Sequence, residues 1–236
     1  MTLSDITRSR LMQISISTLS TVLFMRGFRN RVMQGVVALN PAATRMVGPA
    51  FTLRFIPARE DIDTMAEYAL ETHVQRRAIE ECPARHVLVI DAMGETGAAS
   101  AGDIMLARLQ ARGALGAVTD GGFRDTADIA ALNFPAFHTR AATPSSPIKL
   151  HPADLDLPIG CGGVAVYPGD IIVTDSDGVI VIPAHLADEV AEQAMAMTEY
   201  EAFAAAKVAE GRSIFGLFPA TDHSRAEYAV WRKSRA

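Results

Sequence analysis

The stretch from His86 to Thr119 leaves this chain few choices of fold. HVLVIDA (86–92) is a continuous apolar run of strand length, MGETGAASAG is a loop, Asp103 to Arg112 reads as a helix stopped by Gly113, and ALGAVT (114–119) is a second strand. Strand, loop, helix, strand in this order is the grammar of a parallel βαβ unit, with both loops at the carboxyl ends of the strands.

The flanking sequence adds elements of both kinds. Asp5 to about Phe28 is expected to be helical and to break at Gly27. QGVVALN (34–40) and VGPAFTLRF (47–55) read as strands separated by Pro41. From Asp63 to Cys82, Met65, Ala69, Val74, Ala78 and Ile79 recur at roughly helical spacing, which predicts one amphipathic helix stopped by Pro83. Thr126 to Leu132 predicts another helix and FPAFHT (134–139) another strand. VAVYPGDIIVTDSDGVIVIP (164–183) alternates apolar runs with Pro-Gly-Asp and Asp-Gly turns, as hairpins do. An Ala/Glu/Met-rich stretch from Ala184 to Glu210 predicts a long helix ending at Gly211.

Composition then removes whole classes of function. The 236 residues suffice for one large domain or two small ones, and no internal repeat or long linker divides them. With 49% apolar and 21% charged residues, the chain can build a core. A net charge of −5 argues against broad binding to nucleic acid, leaving Arg26, Arg29 and Arg31 as a local basic patch. Cys82 and Cys161 stand far apart without metal-ligand spacing, so neither a thiolate zinc site nor a disulfide framework is expected, and a reducing cytoplasm is the simplest compartment. The N-terminal residues lack the pattern of a secretory signal, and no run reaches about 18 apolar residues, so a membrane span is not expected.

The chemistry concentrates in GDIMLARLQARGALGAVTDGGFRD, from Gly102 to Asp125. A helix N-terminus offers unpaired N–H groups and a partial positive charge, so Gly102, Asp103, Ile104 and Met105 form a cradle for a small carboxylate, with Gly102 admitting the ligand closely. Arg124 follows the next strand, where its fork suits the same anion or an enolate oxygen. Asp125 offers a hard oxygen for Mg²⁺ or Mn²⁺. From the residues alone a second account stands beside this one: Asp103 as a helix cap, and Arg124 and Asp125 as solvated charges at a helix start.

Asp103, twenty intervening residues and then Arg124-Asp125 resembles the signature of the family that holds 4-hydroxy-4-methyl-2-oxoglutarate aldolases and regulator of ribonuclease activity A-like proteins. VGPAFTL (47–53), the GDIM turn, ARGALGAVTDGGFRD, the FPAF segment and YPGDIIVTDSDGVIVIP resemble it too, covering roughly Gly35 to Gly211. The resemblance implies an α/β fold, a compact swivelling β/β/α-type domain with a mixed sheet core and a long C-terminal helix. It implies one domain over 1–236, with a helical extension from about 184. It also implies a divalent-metal-dependent lyase, aldolase or oxaloacetate decarboxylase, releasing pyruvate from a small 2-keto acid. Carried over, Gly102, Asp103, Ile104 and Met105 bind the substrate carboxylate, Arg124 binds the keto-acid oxygen, Arg124 and Asp103 are the catalytic pair, and Asp125 anchors Mg²⁺ or Mn²⁺. A homotrimer or homohexamer is implied as well, with no nucleic-acid or membrane partner.

Departures from the family bear on the substrate. Ser20-Thr21-Val22-Leu23 lacks the acidic residue that relatives carry near the N-terminus, and Arg26, Arg29 and Arg31 follow it. Those arginines suit either a distal carboxylate or sugar-acid hydroxyls, or else a solvated helix end. Ile214, Phe215, Leu217 and Phe218 form an apolar patch expected to meet a neighbouring subunit, with Tyr228 and Trp231 continuing it. Glu199 and Glu201 stand on the long helix, either near a neighbour's site or in solvent. His138, at a strand end near the rim, is expected to be a hydrogen-bonded structural histidine in preference to one that faces the pocket. Two alternatives to a pyruvate-releasing lyase remain, a non-catalytic regulator of a ribonuclease and a related sugar-acid enzyme. A methyltransferase fits poorly, since no Gly-rich loop with a downstream acidic ribose partner follows a first strand.

Overall fold

A computed structural model describes residues 3–234, so the expected span of 1–236 runs two residues past them at each end. In chain order the elements are α1 (Asp5–Leu11), α2 (Ile16–Met25), β1 (Val37–Ala38), β2 (Val47–Pro57), α3 (Met65–Tyr68), α4 (Val74–Glu81), β3 (Val87–Asp91), β4 (Ala99–Ala101), α5 (Asp103–Ala111), β5 (Gly116–Thr119), β6 (Gly122–Phe123), α6 (Thr126–Ala131), β7 (Ala136–His138), β8 (Arg140–Ala141), β9 (Leu150–Leu155), β10 (Ile159–Cys161), β11 (Val164–Val166), β12 (Ile171–Asp175), β13 (Gly178–Ile182), α7 (Ala187–Ala209) and α8 (Asp222–Lys233).

The expected βαβ unit is present: β3 and β5 pair in parallel, Val87 against Gly116 through Ile90 against Thr119, with α5 as the crossover. They lie inside a mixed sheet of order β1-β7-β5-β3-β2-β12-β13, with β9 paired to β2. The mixed α/β architecture and the long helix α7 match the fold class expected from the sequence. The period of two in each strand distributes the core between faces. Phe51, Leu53 and Phe55 of β2 and Leu88 and Ile90 of β3 meet α4 and α5. Val87 and Val89 turn the other way, to Ile159, Val164 and Val166 of the β10–β11 hairpin. Ile171, Val173, Ile180 and Ile182 of the β12–β13 hairpin pack under α1, α2 and α7. Among the described residues no helix is long and apolar enough to cross a membrane. Cys82 and Cys161 are buried free thiols.

Two helices expected to be continuous are broken, and at each break an arginine from outside it takes the free carbonyls. The segment 5–28 forms α1 and α2, restarted by Ser15, whose hydroxyl accepts from Thr18 N at 3.1 Å. Carbonyls of Leu11, Met12 and Ile14 at the junction are taken by the Arg45 guanidinium. The segment 63–82 splits into α3, capped by Thr64, and α4. Arg76 takes the carbonyls of Ala69 and Leu70 between them. Helical spacing of apolar residues does not register such caps, whether six residues away, as for Arg76, or 34, as for Arg45. The expected strand 34–40 shrinks to Val37–Ala38, antiparallel to β7. The loop 93–102 contains the short strand β4, and three residues of 3₁₀-helix precede α7.

Further corrections concern the C-terminal segment. Leu217 is fully buried against Tyr200, Phe203 and Ala204, with Tyr228 and Trp231 packed on the same cluster. These three residues therefore close α8 onto α7 within the chain, whereas Ile214, Phe215 and Phe218 are exposed. Glu199 accepts from the Tyr228 hydroxyl at 3.0 Å and Glu201 from Thr18 at 3.0 Å, so both carboxylates serve contacts within this chain.

Candidate functional site

The carboxyl ends of β3 and β5 feed a second, three-stranded parallel sheet, β4-β6-β8. Two aspartates fix the transition. Asp120 accepts from Ala92 N at 2.8 Å and Gly162 N at 3.3 Å, and Asp91 accepts from Met93 N at 2.9 Å. Burial pushes the Asp91 carboxyl above its ordinary range. The glycine pair after Asp120 answers to space: an added Cβ would lie 2.6 Å from Ala92 Cβ at Gly121 and 2.5 Å from Ala142 Cβ at Gly122.

This small sheet delivers both halves of the sequence motif to one cleft. Gly102 leaves β4 and caps α5, and Arg124 leaves β6, its N–H donating to Ala101 O at 3.1 Å. Asp125 follows in the left-handed region, φ 54°, a conformation aspartate tolerates better than most residues, and opens α6. Arg124 Nε donates to Asp125 Oδ2 at 2.8 Å. That hydrogen bond and the adjacent charge raise the Arg124 pKa, with Tyr68 and Asp103 adding to the effect. A Cβ at Gly102 would stand 3.0 Å from both Arg124 Cγ and Asp125 Oδ2. Glycine here keeps the helix start open to the Arg124–Asp125 pair.

The cleft has a volume of about 240 Å³ and is lined by Gly102, Asp103, Ile104, Met105, Arg124 and Asp125, so every residue singled out within the Gly102–Asp125 motif borders it. The wall facing α5 was not foreseen. Met65 and Tyr68 come from α3, Gln75 from α4, and Ser145 and Ser146 from the loop before β9. Gln75 is buried, its amide donating to Ser100 O at 2.6 Å and accepting from the Ser146 hydroxyl at 2.9 Å. Ser100 in turn donates to Gly122 O at 3.0 Å, tying this wall to the strand that carries Arg124. A polar Gln on the inner face of α4 was the one available signal.

Other candidates lie elsewhere. Arg26 pairs with Glu189 at 2.7 Å, the Arg31 guanidinium sits over Phe28 at 5.2 Å, and neither they nor Arg29 lines the cleft. Ser20 to Leu23 lie within α2. His138 is buried and stacks on Phe123 at 5.8 Å, but its Nδ1 has no hydrogen-bond partner among the described residues, contrary to the expected bonded histidine. Burial lowers its pKa.

Comparison with known proteins bears on the family and the fold. A family model described as RraA-like, Aldolase/RraA, matches residues 2–181. A protein of Halalkalibacterium halodurans, provisionally named a 4-hydroxy-4-methyl-2-oxoglutarate aldolase, is 42% identical over 118 residues, 50% of this chain and 56% of its own length. Protein DlpA of Legionella pneumophila is 29% identical over 182 residues, 76% of this chain and 28% of its own length. This chain therefore spans about half or less of these two relatives. Among solved structures, Streptomyces coelicolor RraAS2, described as an unusual member of the RNase ES inhibitor RraA protein family, is 30% identical with a TM-score of 0.75, over 86% of this chain and 97% of that one. An uncharacterized protein from Pseudomonas syringae pv. tomato has a TM-score of 0.79 at 24% identity over 92% and 98% of the two chains, a likeness of fold alone.

Proposed function

Since this chain belongs to the RraA-like (Aldolase/RraA) family, we propose that its cleft cleaves a carbon–carbon bond of a small 2-keto acid to release pyruvate, with Mg²⁺ or Mn²⁺ held at Asp125. The observation that carries this reading is the Arg124–Asp125 pair set against the open start of α5, with Gly102 leaving the intervening space free. The donors suit a hard divalent cation: the carboxylates lining the cleft are those of Asp103 and Asp125, and no histidine or cysteine stands among them. Among the described residues no set of three His, Cys, Asp or Glu converges, so a cation held at Asp125 would have to complete its shell with water. Such a cation would polarise the keto group and lower the cost of the pyruvate enolate.

The chain's own groups divide the remaining work. The N–H groups of Asp103, Ile104 and Met105 bind the substrate carboxylate, aided by the helix dipole. Arg124, fixed through Nε to Asp125, directs its remaining donors at the keto oxygen, where charge develops as the bond breaks. Asp103 has no hydrogen-bond partner of its own among the described residues, so its carboxylate is available to take the proton leaving the substrate hydroxyl. The exposed Ile214, Phe215 and Phe218 support self-association, in keeping with a trimer or hexamer.

The test is pyruvate release from oxaloacetate and from 4-hydroxy-4-methyl-2-oxoglutarate, each with Mg²⁺ and with a chelator. Release that the chelator stops supports the lyase. The 30% identity to RraAS2 favours a second reading, binding and inhibition of a ribonuclease. Silence with both keto acids, together with inhibition of RNase ES by the purified protein, would move the assignment there.

A further inference from the structure

The part of the cleft wall supplied by α3 and the loop before β9 carries hydroxyl groups that the protein does not use. Gln75 and Ser146 are buried and satisfied by each other and by Ser100. Tyr68 and Ser145, beside them, are only half-buried and border the cleft. Ser145 precedes the 3₁₀ turn Ser146–Ile148 yet makes no capping hydrogen bond. Tyr68 is held through its ring, edge-on to His73 at 5.1 Å, and neither hydroxyl has a hydrogen-bond partner among the described residues. Each can donate and accept.

Charge narrows what those hydroxyls meet. The lining holds one cation, Arg124, already bonded to Asp125, and two carboxylates, Asp103 and Asp125. With a divalent cation added, the cleft carries one surplus positive charge, which a single substrate carboxylate cancels. A second carboxylate beside Tyr68 would leave the cleft net negative, since Arg124, the one cation of the lining, is already bonded to Asp125.

Resting on the lyase reading above, we infer that Tyr68 and Ser145 select the distal half of the substrate. They fit a 4-hydroxy-2-keto monocarboxylate bearing further hydroxyls, of the keto-deoxy sugar-acid class, in preference to a 2-keto dicarboxylate. In the cleavage, the C4 hydroxyl gives its proton to Asp103 and the C3–C4 bond breaks. Its electron pair passes into the C2–C3 enolate, C4 becomes the carbonyl of an aldehyde, and a proton returned to C3 yields pyruvate. A six-carbon substrate thus gives pyruvate and glyceraldehyde with no other reactant.

The experiment compares kcat/KM for pyruvate release from 2-keto-3-deoxyhexonate and from 4-hydroxy-4-methyl-2-oxoglutarate in Mg²⁺, and measures calorimetric binding of the former. It uses the full chain, Tyr68→Phe and Ser145→Ala. The expected result is a preference of about 10-fold or more for the hydroxylated acid, which corresponds to about 1.4 kcal/mol. Each variant should lower that preference about 5-fold and weaken binding of 2-keto-3-deoxyhexonate by the same factor, the worth of one hydrogen bond. A preference for the dicarboxylate, or variants that leave the preference intact, would overturn this inference while the lyase stands. Binding weakened by both variants without pyruvate from either acid would retain the hydroxyl wall and sink the lyase. Neither binding nor turnover would overturn both.

Discussion

Gly102→Ala should separate the site from the fold. Gly102 has φ −130°, extended backbone that alanine adopts freely, so the substitution acts through space and not through strain. Its methyl would meet Arg124 Cγ and Asp125 Oδ2 at 3.0 Å and Arg124 Cδ at 3.4 Å. Relief to ordinary contact moves the pair by about 0.5 Å, and displacements approaching about 1 Å cost on the order of 10²-fold in rate. Stability should suffer little: alanine is a poorer N-cap than glycine by about 1 kcal/mol, some 2–4 °C for a chain of this size. The assay is pyruvate release coupled to NADH oxidation by lactate dehydrogenase, run beside thermal unfolding. We expect activity down about 10- to 100-fold with a melting point within a few degrees of the parent. Gly160→Ala, whose methyl would meet nothing within 4 Å, is the control. Activity within twofold of the parent in Gly102→Ala would refute the claim that this glycine keeps the site open.

Asp125→Asn retains a residue that tolerates φ 54° but removes the charge, so Mn²⁺ binding by calorimetry and metal-dependent turnover should be lost together while the fold persists. Arg124→Lys keeps the charge and loses the planar fork; kcat should drop about 10²- to 10³-fold, as for loss of an oxyanion donor, and full activity would remove Arg124 from the enolate. Gln75→Leu leaves Ser100 O and the Ser146 hydroxyl unpaired, and should cost about 2 kcal/mol, roughly 4–8 °C in a melting scan. Burial lowers the pKa of His138, so between its folded value and the ordinary value near 6.5 the unfolded chain binds more protons. Its contribution to stability is therefore present above about pH 6.5 and is lost as the pH falls below it. Denaturant titrations from pH 7 to 5 should show a shallower decline for His138→Phe than for the parent.

Much of this architecture was legible along the chain because its causes are local. The parallel β3-α5-β5 unit, the β12–β13 hairpin and α7 follow from periodicity and turn residues a few positions apart. The spacing from Asp103 to Arg124-Asp125 likewise fixed their meeting, since one crossover helix between parallel strands brings the two loops to the same rim. Tertiary structure alone decided where helices stop and what faces the motif. Arg45 ends α1 from 34 residues away, and Gln75 meets Ser146 across 71. Leu217 and Trp231 look like a docking patch until α8 folds back on Phe203. Pairings at such separations leave no period in the sequence, because they depend on which elements the sheet order sets side by side.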